Sequence, residues 1–256
     1  MDIETIKRLT HGAAALGALA CCMSLPAHAD WAGKGEGGLL LSRGNADSTS
    51  ANAKLDISEE QNGWKNSLFL AGLYGRNATF ATAQRVEGRY ELDDKVTDRL
   101  YAFGALHAER DLFSGFDYQV TLSAGLGYKF IDSETTKFAG TLGVGYRRLR
   151  PEQLVKDPSS GEVIERIKGD ATSGAVVTGG LNLEHKLTAT TKLLDKLLIE
   201  AGASNTSVGN DFGVQVSMTD KVALAFGYGV RYNTDPAPGT KKLDQLTTVN
   251  IVYNIK

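Results

Sequence analysis

Strict alternation of apolar and polar residues over long segments is the feature that most constrains the fold of this chain. In residues 82–92, Val86 and Tyr90 share one face with Gly88 and Leu92, while charged residues occupy the other. The same alternation runs through 118–130 and 221–232. Successive side chains of a β-strand point to opposite faces, so a period of two identifies strands, and a helical period of 3.6 fits none of these segments. The chain is therefore predicted to be all-β.

Counting segments of this kind, with turn signals such as Gln61-Asn62-Gly63 and Thr219-Asp220 between them, predicts about twelve antiparallel strands. The first half of 192–203 fits a short helix equally well. The predicted strands are 33–42, 49–58, 64–74, 82–92, 99–109, 117–130, 137–148, 172–186, 192–203, 210–218, 221–232 and 244–255.

The connections between these strands alternate in length. The longest are predicted at 149–171 and 233–243, and they contain Pro151, Pro158, Pro236 and Pro238. The connection around Arg110 to Phe116 is also long, whereas the even-numbered connections between the predicted strands are tight turns. Long connections at one end and tight turns at the other are typical of bacterial outer-membrane barrels, which have both termini in the periplasm. The sequence thus predicts an up-and-down transmembrane β-barrel.

A soluble lipocalin-like barrel would show the same alternation, with its apolar face turned inward. Three features favour a membrane barrel. The strands are long, at about 10–14 residues, where soluble sheets have a mode of about 5–6. The polar face mixes charges with glycine, as expected of a narrow wet lumen, and aromatic residues such as Tyr128, Phe130 and Tyr253 fall at strand ends, as in interfacial girdles.

Residues 1–29 are predicted to be a cleaved secretory signal peptide, which leaves 30–256 as the barrel domain. Lys7 and Arg8 precede an apolar run, and Ala27-His28-Ala29 supplies a small-x-small cleavage site. The run is too short to cross a bilayer as a helix. Two alternatives stay open, a buried N-terminal helix and a lipoprotein acylated at Cys21 or Cys22, the chain's two cysteines.

The polar faces carry charges of both signs, which we predict to line the lumen. Such charges can set the selectivity of an aqueous pathway, or they can pair across the lumen and close it, because unpaired buried charge is costly. A barrel of twelve strands lies between filled and open barrels in size, so both interpretations stand. The predicted lumen-lining residues are Lys54, Asp56, Arg85, Glu87, Arg89, Glu91, Lys129, Arg147, Glu184, Glu200 and Arg231.

Composition and motifs argue against several function classes. The chain has 28 Lys+Arg against 30 Asp+Glu, and a net charge of −2 is unlike the basic field of a nucleic-acid binder. His107 and His185 are followed two residues later by Glu109 and Leu187, not by the serine that a barrel phospholipase needs. His107 beside Glu109 and Asp111 could form an acid–base or metal cluster, although a polar strand end explains it as well. The sequence predicts no enzyme, cofactor or metal site.

Several motifs together resemble the YdiY-type family, a largely uncharacterised group of outer-membrane proteins described as salt-induced. They are Ser42-Arg43-Gly44-Asn45, Trp64 at the start of a strand, the stretch 107–119 and Gly143-Val144-Gly145-Tyr146-Arg147. The resemblance implies an outer-membrane β-barrel without a settled activity. It departs from the common pattern at the end of the chain, Tyr253-Asn254-Ile255-Lys256, which lacks a terminal aromatic residue.

Within this resemblance, Glu109, Arg110, Asp111 and Gly115 form a motif that we place in an extracellular loop. Aspartate and glycine are turn formers, so the motif is expected to shape the loop, with its arginine holding the loop to the barrel rim.

The leading functional expectation is a small channel or an envelope or salt-stress protein in the bacterial outer membrane. The alternative is a closed barrel that acts as a structural or docking protein through loops 149–171 and 233–243, and a barrel enzyme of lipid chemistry is more remote. The expected partners are outer-membrane lipid, lipopolysaccharide and the barrel-assembly machinery, and the sequence does not identify a soluble partner.

Overall fold

The computed structural model describes residues 31–42, 48–77, 79–112, 115–236, 238 and 240–255. The signal peptide predicted for 1–29 lies outside these residues, as do parts of the motifs at 42–45 and 107–119. The described chain forms thirteen strands, namely β1 Ala32–Ser42, β2 Ser48–Gln61, β3 Trp64–Asn77, β4 Ala81–Lys95, β5 Leu100–Asp111, β6 Phe116–Asp132, β7 Thr136–Lys156, β8 Val163–Lys168, β9 Thr172–Lys186, β10 Thr191–Gly202, β11 Thr206–Ser217, β12 Val222–Asn233 and β13 Leu243–Ile255.

Twelve of these strands close into an antiparallel barrel. Neighbours in sequence are neighbours in the ring, except that β7 pairs directly with β9 and β8 stands outside. The ring closes where β1 pairs with β13, with Gly33 opposite Ile255. The predicted up-and-down, twelve-stranded fold is confirmed, and 192–203 forms a strand, not a helix.

The barrel has two distinct ends. The terminal end carries Ala32, Ile255 and five short turns, at 62–63, 96–99, 133–135, 187–190 and 218–221. The loop end carries the remaining connections, including 112–115, 157–171 and 234–242. The tight turns at the terminal end agree with the sequence prediction. The loop end contains the two longest connections, but only three residues join β3 to β4 and β10 to β11 there.

The apolar face of the strands points outward. In β7, Leu142 is 67% exposed and Val144 is 70% exposed, whereas Arg147 on the opposite face is 3% exposed. The same outward exposure holds for Leu122 on β6 and Ile251 on β13. This arrangement suits a membrane barrel and is the reverse of a soluble lipocalin-like barrel, because an apolar outer band is what contact with lipid requires.

Aromatic rings cluster near the terminal end of β6 and β7. The ring centroids of Tyr128 and Phe130 are 5.4 Å apart, and those of Phe130 and Phe138 are 5.2 Å apart. Aromatic residues at this height are typical of the interfacial girdles of membrane barrels. Within the described part of the chain, no helix has the length and apolar character needed to cross a membrane.

The prediction of a long irregular connection at 149–171 is wrong in part. β7 continues beyond the barrel to Lys156 and forms a hairpin with β8. Pro151, expected in a loop, lies inside β7 opposite Phe116, where the register of the β6–β7 pair shifts. A strand tolerates proline at such an irregularity because the ladder hydrogen bond is already interrupted there.

The β7–β8 hairpin is attached to the loop end of the barrel by buried polar contacts. Glu152 is only 1% exposed, and its carboxylate accepts a hydrogen bond from Arg166 at 2.9 Å. The backbone N–H of Glu152 donates to the carbonyl of Gly115 at 2.8 Å, and Lys168 pairs with Asp117 at 3.0 Å. The hairpin is thereby fixed to the β5–β6 connection.

Candidate functional site: the barrel lumen

A cavity of about 1050 Å³ occupies the interior of the barrel. Its lining includes Asp132 and Asn254 at the terminal end and Tyr232 and Asp244 at the loop end. Because successive side chains alternate between the two faces of a strand, the outward apolar face leaves the polar residues of each strand to line this cavity.

Ten of the eleven charged residues predicted to line the lumen lie along this cavity: Lys54, Asp56, Arg85, Glu87, Arg89, Glu91, Lys129, Glu184, Glu200 and Arg231. Arg147 also points inward but is buried against the wall. Its guanidinium donates to the backbone carbonyls of Glu200, at 3.3 Å, and Asn205, at 2.5 Å. Arg147 therefore supports the β10–β11 connection from the side of the lumen.

The motif placed in a loop is mostly strand. Glu109, Arg110 and Asp111 end β5, and only 112–115 remains as the connection, with Gly115 at a φ of 91°. Since alternate residues share a face, Glu109 and Asp111 line the cavity while Arg110 points outward. Arg110 lies 3.6 Å from Asp117 at the start of β6, so it bridges the two strands at the rim.

A histidine links three strands inside the lumen. The Nε2 atom of His107 on β5 lies 3.3 Å from Glu87 on β4, and its Nδ1 atom lies 3.4 Å from Glu200 on β10. β5 and β10 are separated in the ring by β6, β7 and β9. The contact between His107 and Glu200 therefore crosses the interior and does not follow the wall.

Arginines extend this network in both directions. Arg85 pairs with Glu87 at 2.6 Å and with Glu109 at 3.0 Å. Arg231 on β12 pairs with Asp211 at 2.8 Å and approaches Glu87 at 3.9 Å. Because four strands separate β4 from β12 in the ring, the approach of Arg231 to Glu87 is a second contact across the lumen.

Glu200 is the most connected member of the network. It is 3% exposed and accepts hydrogen bonds from Gln119 at 2.9 Å and Ser207 at 3.4 Å, in addition to its contact with His107. A buried carboxylate is stable only when its oxygens are satisfied in this way. These contacts hold the loop-end half of β10 against the interior.

A third contact across the lumen lies nearer the terminal end. The Nζ atom of Lys196 on β10 lies 2.5 Å from the carboxylate of Asp56 on β2, and it stands 5.9 Å above the ring of Phe69. β2 and β10 are separated by four strands. β10 therefore contacts the far wall at two heights, through Glu200 and Lys196, and the lumen is narrowed at both.

Some of these contacts are not predictable from the sequence. The sequence places His107 beside Glu109 and Asp111, whereas the partners of His107 in the barrel are Glu87 and Glu200. No sequence motif distinguishes Lys196 or Asp211. Their position on the inward face follows from the alternation of side chains along β10 and β11. Their partners across the lumen do not, because pairing across a lumen depends on how the ring closes.

The two histidines of the barrel strands have different partners. A nucleophilic serine needs a base within hydrogen-bond reach, and both ring nitrogens of His107 face carboxylates. His185 contacts the hydroxyl of Thr136, its partner across the β7–β9 pair, at 2.8 Å. In the described residues, no group of three or more His, Cys, Asp or Glu side chains could hold a metal ion.

Comparison with known proteins agrees with this fold. The solved NanC porin is 15% identical, with a TM-score of 0.50, over 88% of this chain and 100% of that chain. The translocator domain of the autotransporter NalP from Neisseria meningitidis is 12% identical, with a TM-score of 0.46, over 99% of this chain and 97% of that one. The twelve-stranded antiparallel barrel of this chain therefore has the fold of the NanC porin.

Sequence comparison identifies the family. The uncharacterized protein YdiY of Escherichia coli (strain K12) is 23% identical over 228 residues, which cover 85% of this chain and 81% of YdiY. The model of the family described as "Protein of unknown function, DUF481" matches residues 35–255, nearly the whole described barrel. The similarity to YdiY confirms the resemblance seen in the sequence, and the chain belongs to the DUF481 family.

Proposed function

We propose that this protein is a narrow channel of the bacterial outer membrane that conducts small ions and polar solutes. The observation that carries the proposal is the cavity of about 1050 Å³, whose polar lining reaches from the terminal end to the loop end. Charges facing an aqueous lumen are how barrel channels set selectivity. One barrel of similar fold is called a porin, which makes conduction the first property to test.

The cross-lumen contacts limit the size of what can pass. His107–Glu200, Glu87–Arg231 and Asp56–Lys196 each join walls that are not adjacent. A pathway divided by such contacts suits ions and small polar molecules, not folded or bulky solutes. The proposed channel is therefore narrower than an open sixteen-stranded porin.

The test is single-channel conductance of the barrel in a planar bilayer. Stable current steps that scale with salt concentration support conduction. Folding is checked in the same preparation by heat-modifiable mobility on a gel, so that an unfolded sample is not mistaken for a folded barrel that does not conduct. A folded barrel that produces no steps would overturn the channel proposal.

The same contacts favour a second candidate, a closed barrel with a structural or docking role. Paired charges can fill a lumen as well as line it, and the β7–β8 hairpin presents a further surface at the loop end. A silent but folded barrel would support this candidate. Deleting 157–162, the tip of the hairpin, should then impair envelope integrity without altering barrel assembly.

We also propose the orientation and the physiological setting. Both termini at one end, together with the short turns, support a barrel with its termini in the periplasm and its loop end outside, in contact with lipid and lipopolysaccharide and assembled by the barrel-assembly machinery. Protease added to intact cells should cut the hairpin and spare the turn at 62–63.

A role in salt or envelope stress rests on family resemblance, and growth of a deletion strain at high salt tests it.

We propose that the protein is not an enzyme. The support is that His107 is engaged by two carboxylates, and that the contact of His185 with Thr136 lies within a β7–β9 pair near the terminal end. Release of fatty acid from phospholipid by the purified barrel, lost in a Thr136→Ala or His107→Ala variant, would overturn this proposal.

A further inference from the structure

The charges lining the lumen are unevenly distributed along its axis. We assign each charged residue of the lining to the end of the barrel that is nearer along its own strand. The loop-end half then contains six carboxylates and three Lys or Arg side chains, Lys54, Arg85 and Arg231. The six carboxylates are Glu87, Glu109, Asp111, Glu200, Asp211 and Asp244. With His107, which lies between two carboxylates, counted as protonated, this half carries six negative charges against four positive ones and is still acidic.

The terminal half has the opposite balance. Nine Lys or Arg side chains line it against seven carboxylates. Several of its basic residues are paired, such as Lys34 with Glu36 and Lys192 with Glu184, both at 2.9 Å. Lys65 and Lys137 also line this half, opposite Asp93 and Glu184 in the neighbouring strands. Among the described residues neither lysine comes within ion-pair distance of a carboxylate, so their charges are less closely neutralised than those of the paired lysines.

From this separation we infer that the lumen is a bipolar pathway, in which an acidic half and a basic half act in series and make the current depend on the sign of the voltage. The inference rests on the proposed channel function. A low-dielectric wall focuses the field of its charges into the lumen, so a net charge of a few units attracts counter-ions strongly there. The acidic half accumulates cations and the basic half accumulates anions.

The sign of the voltage that gives the larger current follows from which ions each half of the lumen accumulates. When the compartment facing the loop end is positive, cations leave the acidic half and anions leave the basic half toward the middle of the lumen. Mobile ions then accumulate where the halves meet, and conductance rises. The opposite voltage draws both kinds of ion away from the middle and depletes it. The larger current is therefore expected with the loop-end compartment positive.

Salt concentration provides an internal check. The Debye length is about 10 Å at 0.1 M salt and about 3 Å at 1 M. Separated wall charges therefore act across a narrow lumen at the lower concentration and are screened at the higher one. We expect the ratio of currents at equal and opposite voltages to exceed about 1.5 at low salt and to approach 1 near 1 M.

The experiment compares a K65Q/K137Q variant with a K156Q/K221Q control. Both variants remove two exposed lysine charges, but Lys65 and Lys137 line the lumen, whereas Lys156 ends β7 beyond the barrel and Lys221 lies in a turn, and neither lines the cavity. Currents through single barrels are recorded in KCl at both voltage signs. Orientation is assigned by adding protease to one side and observing on which side it cleaves 157–162.

The expected result is a rectified current in the native barrel and in the control, and a ratio close to 1 in K65Q/K137Q at the same salt. Current steps with equal size at both voltages in the native barrel would overturn the inference and leave the channel proposal intact. Rectification that survives in K65Q/K137Q would also overturn it. A folded barrel that conducts at neither voltage would remove both proposals together.

Discussion

Lys196 on β10 and Asp56 on β2 meet across the lumen at 2.5 Å, although four strands separate their walls in the ring. Both side chains retain contact with solvent, with exposed fractions of 49% and 29%. Ion pairs of this kind contribute little to stability, about 0–1 kcal/mol, because water and salt screen them. The pair therefore narrows the lumen more than it stabilises the barrel.

The first prediction concerns removal of this pair. In a D56N/K196Q variant, single-channel conductance should rise, because the amides hold no strong cross-lumen contact and leave the pathway wider. The free energy of unfolding should change by less than about 1 kcal/mol. Planar-bilayer recordings and urea unfolding in lipid measure the two quantities. Unchanged conductance together with a large loss of stability would show that the pair is structural.

The second prediction is a change of ion selectivity in Arg89→Glu. Arg89 lines the cavity and pairs with Glu91 at 2.5 Å, so the substitution replaces one positive lumen charge by a negative one and leaves Glu91 without this partner. The reversal potential across a KCl gradient should shift toward cation selectivity. Lys221→Glu, which makes the same change at an exposed site outside the lumen, is the control. An unchanged reversal potential in a conducting barrel would show that Arg89 does not line the ion pathway.

The third prediction tests the lipid-facing surface. Leu142 is 67% exposed on the outer face of β7, near the middle of the barrel wall. Leu142→Arg should lower the free energy of unfolding in liposomes by about 2–4 kcal/mol, the cost of a cation near the bilayer midplane. Leu142→Met keeps the surface apolar and should change stability much less. Equal stability of the two variants would contradict a lipid contact at this position.

The fourth prediction concerns attachment of the β7–β8 hairpin. Arg166 donates to the buried carboxylate of Glu152 and to the backbone carbonyl of Leu112. Arg166→Ala should leave Glu152 buried without its cation, at a cost of about 1–3 kcal/mol. The hairpin should then be cut faster in limited proteolysis while the barrel stays resistant. Glu165→Ala, at an exposed position on the same strand, is the control, and equal cleavage of both variants would refute the assignment.

The fifth prediction is a pH dependence at the tip of the hairpin. Hydrogen bonds from the Ser159 hydroxyl and from the backbone N–H groups of Ser159 and Ser160 lower the pKa of Asp157 to about 2. Because the folded-state pKa is depressed, the contribution of this turn to stability is present above the unfolded value of about 3.9 and is lost as the pH falls toward 2. NMR shifts of the two serine amides should titrate near pH 2. A midpoint near 4 would show that the turn is not formed.

Much of the fold is predictable because alternation is a local property of the chain. Residues 221–232 define an outward face and an inward face without reference to any other strand, and β12 has the same two faces in the barrel. The inward position of Glu87 and Glu200 follows from the same alternation along β4 and β10. These features need only the two-residue period and the length of each strand.

Other features depend on contacts that no local pattern contains. That Glu200 meets His107, and Lys196 meets Asp56, follows from the closure of the ring and the stagger of its strands. The sequence does not predict the β7–β8 hairpin, because proline normally indicates a loop, whereas Pro151 occupies an irregularity inside a strand. The alternation along each strand predicts which residues line the lumen, but it does not predict which of these residues contact each other.

The pairing of β1 with β13 has a consequence for the order of events in folding. Gly33 and Ile255 are register partners, so the ladder that closes the ring joins the two extremes of the described chain. Closing the longest loop costs the most chain entropy, and folding slows as contacts become more distant in sequence. The eleven remaining ladders of the ring can form progressively as hairpins or near neighbours. Because β13 supplies one side of that ladder, a chain that ends before Leu243 cannot complete this ring.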